Sequence, residues 1–248
     1  MDVATATQII EALAEALGKT ASSVEAYALY LRKTGRWAPT KRGRGATPIS
    51  DGEAAKLLLA VMSDGDNLAG WWLDCANLAL LPDQRSDPLA LAVQDALGLP
   101  PTAKFLDYLQ GIVRVFRTGE AQTIFALDAH PVGSLDSETW LPGVEVTVSG
   151  PNIRGEITFW LAPDVLAAPA GSDIPAQNPV TPQKLIFVDQ LIGWQADAAE
   201  KGDDPAGYDA AIASIIQSRS KGVRYRRTIG SIEIEAVAGP MRSDEDRK

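Results

Sequence analysis

The chain has 248 residues with 46% hydrophobic and 22% charged, enough apolar material for a sizeable core and an ordinary balance for a globular protein. A single cysteine, Cys75, excludes an internal disulfide and fits a reducing compartment, and no basic start followed by an apolar run marks a leader or membrane span, so a cytoplasmic protein is expected. The formal charge of −9 is unevenly spread: residues 1–60 carry eight Lys/Arg and six Asp/Glu, a balance of +2, which leaves −11 for the remainder.

The first helix is predicted over 7–17, where Ile10, Leu13, Ala14 and Leu17 repeat at the spacing of one buried face and Gly18 offers the left-handed cap. After a short turn, Ser22 and Glu25 have capping-box spacing, and Val24, Tyr27, Ala28 and Leu31 carry a second apolar stripe that Gly35 ends. Two helices joined by a short turn have the outline of a helix-turn-helix, whose second helix enters the major groove. The outer side of that helix offers Ser23, Glu25, Ala26, Tyr30 and Lys33. From Arg32 to Gly45 there are six cations (Arg32, Lys33, Arg36, Lys41, Arg42, Arg44) and no acid. Gly43 and Gly45 would let that backbone approach a phosphate backbone or enter a minor groove beside Arg42 and Arg44. A third capped helix follows from Ser50 and Glu53, with Ala54, Leu57, Leu58 and Val61 as its stripe. Three such stripes can bury one another.

The run LAEALGKTASSVEAYALYLRKTGRW, followed by KRGRGATPIS, resembles the helix, turn, recognition helix and basic loop of winged and helix-turn-helix DNA-binding proteins. The block LRKTGRW…KRGRGA…AAKLLLA is similar to N-terminal segments of phage and prophage DNA-binding proteins, including small terminase subunits and regulators. The resemblance covers about the first quarter of the chain and departs from the winged pattern, since no strand pair flanks the basic loop. It implies a phage-type role in transcription control or packaging-site recognition.

Further along, Leu68, Trp71, Trp72, Cys75, Leu78 and Ala79 read as one broad helical face ended by Pro82. Asp87–Leu99 carries another stripe, and Pro100-Pro101 opens a helix from Thr102 through Phe116. At Thr118-Gly119 the period changes. Thr123–Asp128, Val144–Ser149 and Arg154–Leu161 alternate as half-buried antiparallel strands do, with a turn at Gly150-Pro151-Asn152. Ala162–Pro182, with five prolines, reads as a long exposed loop. Thr181-Pro182 starts a strand or a helix through Leu185–Ala199, the spacing of Phe187, Leu191 and Trp194 slightly favouring a helix. Pro205–Ser220 reads as a helix, and Arg224–Val237 as the last strand with a basic run (Lys221, Arg224, Arg226, Arg227) at its entry, as edge strands often carry.

The expected fold is α+β: a helical head at 1–65, a helical middle at 66–118, an α+β part with an antiparallel sheet at 119–240, and a disordered tail at 241–248. No phosphate-loop, dinucleotide or serine-nucleophile motif is present, and His130 and Cys75 stand too far apart in sequence to suggest a zinc or nucleophile pair. No enzyme, cofactor or metal site is therefore expected. The expected function is double-stranded DNA binding by the head through Ser23, Tyr30, Lys33, Arg36, Lys41, Arg42 and Arg44. The acidic body would serve self-association, as a homo-oligomer, or contact with a protein partner. The alternative is a structural or adaptor protein of a phage-like particle whose head binds protein.

Overall fold

A computed structural model describes residues 4–38, 48–62, 76–81, 84–125, 143–150, 154–161, 182–188 and 225–242, without the side chains of 225–227. Outside the described residues lie the loop cations Lys41, Arg42 and Arg44, the Trp71-Trp72 pair, Cys75, His130, the Pro151-Asn152 turn, the proline-rich loop up to Thr181, Trp194, the helix expected over 205–220, and Lys221 and Arg224.

The first helix, α1, spans Ala6–Ala16, and the second, α2, spans Ala21–Lys33. Gly18 and Gly35 both take left-handed backbone, with φ of 60° and 69°, which only glycine adopts at little cost. The cap of α2 is Thr20, not Ser22: its Oγ1 accepts the Ser23 N–H at 3.3 Å, and its own backbone is extended. A hydroxyl can satisfy a helix-start amide only from the residue that still lies outside the helix, and Ser22 is already inside. Thr20→Ala should therefore cost about 1 kcal/mol in thermal or chemical unfolding, while Ser22→Ala stays within about 0.5 kcal/mol. The reverse order would return the cap to Ser22.

The third helix, α3, spans Asp51–Met62 and starts with the expected capping box, Ser50 N–H donating to Glu53 Oε2 at 3.0 Å and Glu53 N–H to Ser50 Oγ at 3.3 Å. It is buried nearly all round, including Ala55, Leu59, Ala60 and Met62 outside the predicted stripe. Next come β1 (Ala79–Leu80), α4 (Pro88–Ala96), α5 (Phe105–Thr118) and the short α6 (Ala121–Ile124). Then follow β2 (Val144–Gly150), β3 (Arg154–Phe159), β4 (Gln183–Val188), β5 (Tyr225–Gly230) and α7 (Ser231–Ala238), with a 3-10 turn at Gly239–Met241. The class is α+β. The five strands form one antiparallel sheet in the order β1-β4-β3-β2-β5, so β5 with its Arg226 and Arg227 is an edge among the described strands.

One face of the sheet carries Val144, Val146, Val148, Ile157, Phe159, Leu185, Phe187 and Ile229, all buried. Against it lies α5, whose Phe105 and Tyr108 rings meet the Phe187 ring at 5.1 and 4.9 Å. Phe125 lies between Phe116 and Phe159, 6.0 and 5.7 Å from them. Helix α5 also packs on α3 and α7; α1 packs on α2 and α7, and α2 packs on α3. A bidentate pair, Arg117 Nε and Nη2 to the two Asp51 carboxylate oxygens at 2.8 and 3.1 Å, ties α5 to the start of α3. Head, middle and C-terminal part thus contribute to one buried cluster running from Ala4 to Met241.

Between α3 and β5, four sequence expectations are corrected. Ala79 and Leu80 form a strand rather than the end of a helix, pairing with Val188 and Phe187. The Gln84 amide extends that edge, Nε2 donating to Lys184 O and Oε1 accepting from Ile186 N–H. The helix expected from Thr102 begins at Phe105, because Lys104 still bridges to Ala79 and gives its N–H to Asp107 Oδ2. Of the strand expected over Thr123–Asp128, Thr123 and Ile124 instead end α6, closed by the Phe125 N–H on Ala121 O, and among the described residues Phe125 alone bridges to Leu161. Residues 183–188 are a strand, Leu185 and Phe187 facing inward, because two neighbours, β1 and β3, supply its backbone partners.

The last expected strand is half helix. Gly230 N–H donates to Glu233 Oε2 at 2.8 Å, which starts α7, and Ile234, Val237 and Ala238 are buried at helical spacing. A continued strand would have placed Ile232 beside Ile234, yet Ile232 is 77% exposed. Two residues of the expected tail are also held: Met241 is buried, and Arg242 donates to Phe116 O and to Glu235 Oε2.

Candidate nucleic-acid interface

Three helices of the N-terminal region differ in what they present. With its apolar residues buried all round, α3 has no side to offer a groove. In contrast, α2 keeps Ser22, Ser23, Glu25, Ala26, Leu29 and Lys33 exposed. Of these two, α2 is therefore the helix that can face a ligand.

The predicted contact residues are placed as follows. Ser23 is exposed, but its hydroxyl lies 2.9 Å from Thr20 Oγ1 within the helix cap. Tyr30 is half-buried and packs against the core cluster rather than standing on the outer face. Lys33 is exposed at the last turn of α2, and Arg36 is half-buried just beyond it. The Arg36 carbonyl accepts from Lys56 Nζ at 3.2 Å, which anchors the chain at the point where the basic stretch begins. Lys41, Arg42 and Arg44 belong to the same stretch and lie outside the described residues.

Electrostatics favour anions at this end. Arg32 and Lys33 stand in the last turn of α2, where cations also complement the helix dipole. The two acids at the start of α3 are turned to other work: Glu53 accepts from Ser50 and from Ala38 N–H at 3.0 Å, and Asp51 holds Arg117. Asp51 is thereby paired away from the stretch, whereas Glu53 keeps its charge beside Ala38. By contrast, the N-terminal turns of α2, which in a helix-turn-helix meet base edges, expose serines, Ala26 and Glu25 and no cation. The arrangement suits phosphate contact better than base readout.

Sequence reasoning passed over one member of this cluster. Arg32 lies with its guanidinium carbon 5.0 Å from the centre of the Trp37 ring. The sequence places Arg32 in the cation run but carries no sign that Trp37 folds back beneath it.

Elsewhere, no group of three or more His, Cys, Asp or Glu able to hold a metal ion occurs among the described residues. No helix of the described residues is long and apolar enough to cross a membrane. A half-open cleft of about 360 Å³ lies among the described residues between Leu17, Lys19, Leu58, Val61, Met62, Thr228 and Ile229. No family model, curated protein or solved structure matches the chain.

Proposed function

We propose that the chain binds double-stranded DNA through the C-terminal end of α2 and the basic stretch behind it, chiefly by phosphate contacts. The observation that carries this reading is the run of six cations without an acid between Arg32 and Gly45, opening at an exposed helix end, with Asp51 of the neighbouring α3 paired to Arg117. Binding of this kind is driven by counterion release and discriminates weakly among sequences. The strongly acidic remainder repels nucleic acid and so confines contact to this end, leaving the body for self-association or a protein partner. A phage-type task, transcription control or packaging-site recognition, is the role that the sequence resemblance implies. One feature favours a second reading, an adaptor whose head binds protein: Leu29 stands exposed on the same outer face of α2.

Salt separates the two. Titrating the full chain on random duplex at two salt concentrations should give affinity that falls steeply with salt, whereas an apolar protein contact would not follow that law. Arg42→Ala with Arg44→Ala should flatten the slope of log affinity against log salt by about two, each phosphate contact contributing close to one, and weaken all sequences alike. Unchanged affinity at low salt removes the basic stretch from DNA binding.

A further inference from the structure

We infer that Arg32 is itself a phosphate contact of this interface and that Trp37 is the positioning residue that holds its guanidinium ready; the inference rests on the DNA reading above. The arrangement begins with the way α2 ends. Gly35 N–H donates to Arg32 O at 3.0 Å, and Arg36 and Trp37 N–H both donate to Leu31 O at 2.8 and 3.1 Å. Those bonds, with left-handed Gly35 between them, reverse the chain over a single turn and bring residue 37 back under residue 32.

Trp37 is only 2% exposed and belongs to the core cluster, so its ring is a fixed platform. The Arg32 guanidinium lies within cation–π range of that platform. Its Nε is buried and has no hydrogen-bond partner, and no described carboxylate pairs with the group. A buried Nε without an acceptor is an unfavourable arrangement for a purely structural arginine. With the Nε turned inward, the two terminal nitrogens are left to meet two oxygens of one phosphate together. Stacking has also removed much of the rotamer freedom that an arginine normally loses on binding. Lys33, one residue on and exposed, adds a second charge at the same end of α2.

A role confined to covering Trp37 would change stability and leave salt dependence alone, so the experiment reads both. Full-length wild type, Arg32→Gln, Arg32→Lys, Trp37→Leu and Trp37→Phe are titrated on a random DNA duplex between about 50 and 200 mM salt, the range over which phosphate contacts tell. Each variant is also melted. Arg32→Gln should bind roughly tenfold more weakly at low salt and lose about one unit of slope. Arg32→Lys keeps the charge and the slope but binds more weakly at every salt, since it has neither fork nor stack. Trp37→Leu should match Arg32→Lys, and the two together should be no worse than either alone. Should Trp37→Leu not fold, Trp37→Phe carries the test, with an intermediate affinity and an unchanged slope. If Arg32→Gln binds as wild type while Arg42→Ala with Arg44→Ala weakens binding, the assignment of Arg32 is wrong and the DNA reading stands. Additive losses in the double variant would remove Trp37 from the positioning role. No binding by wild type overturns both.

Discussion

Phe105→Ala should destabilise the protein by about 3–5 kcal/mol in chemical denaturation, the usual cost of emptying a fully buried aromatic site. Phe105 begins α5, is fully buried, and touches the sheet at two places: the Phe187 ring and the backbone of Gly155. A methyl group added at Gly155 would stand 2.7, 2.8 and 3.0 Å from Cε2, Cδ2 and Cζ of that ring, closer than carbon atoms approach. Gly155→Ala should accordingly cost about 1–3 kcal/mol by overpacking, although alanine ordinarily suits a strand better than glycine. The ring and the missing side chain are two halves of one fit. Combining Gly155→Ala with Phe105→Leu should therefore cost less than the two changes summed, because the smaller side chain vacates the space that the methyl needs. Strict additivity would show that the start of α5 does not rest on β3 in this way.

Alkaline unfolding should be governed in large part by Tyr108. Burial pushes its phenol up to about 12, and the nearby amide of Gln94 pulls weakly the other way without any group meeting the hydroxyl in hydrogen-bonding geometry. In the unfolded chain the same phenol ionises near pH 10. The unfolded state thus sheds its proton first, and stability that is fully present below pH 10 is lost as pH rises toward 12, by about 2–3 kcal/mol in all. Tyr108→Phe removes this loss. At neutral pH the variant should be about as stable as wild type, since a buried hydroxyl without a partner contributes little or nothing. Urea titrations at pH 7 and at two points above pH 10 test both statements. Equal pH dependence of the two proteins would mean that the phenol is hydrated in the native state.

Both effects belong to the interface between α5 and the sheet, and little of that interface is legible in sequence. The apolar stripe of α5 is plain, and so is the alternation of β2 and β3. What is hidden is that Phe105 lies over Gly155, fifty positions away. Short apolar runs were the other obscure places. LIFV at 185–188 fits a helix as well as a strand until β1 and β3 are beside it. SIEIEAVA alternates like a strand, yet Glu233 closes on Gly230 and winds it into α7.

For the candidate interface the division is similar. Cation density, the glycines at 18 and 35 and the Ser50–Glu53 box depend on residues close in sequence, so the sequence by itself determined them. Thr20 took the cap that Ser22 seemed to hold because both are hydroxyls two positions apart, and only backbone conformation separates them. The fit of Phe105 on Gly155, the inward turn of Tyr30 and the stacking of Arg32 on Trp37 were decided by the tertiary structure. Local hydrogen bonds and charge spacing act over a few residues and leave their pattern in the order of the chain. The choice of which side chain meets which surface depends on where the chain returns, and that is settled only when the core closes.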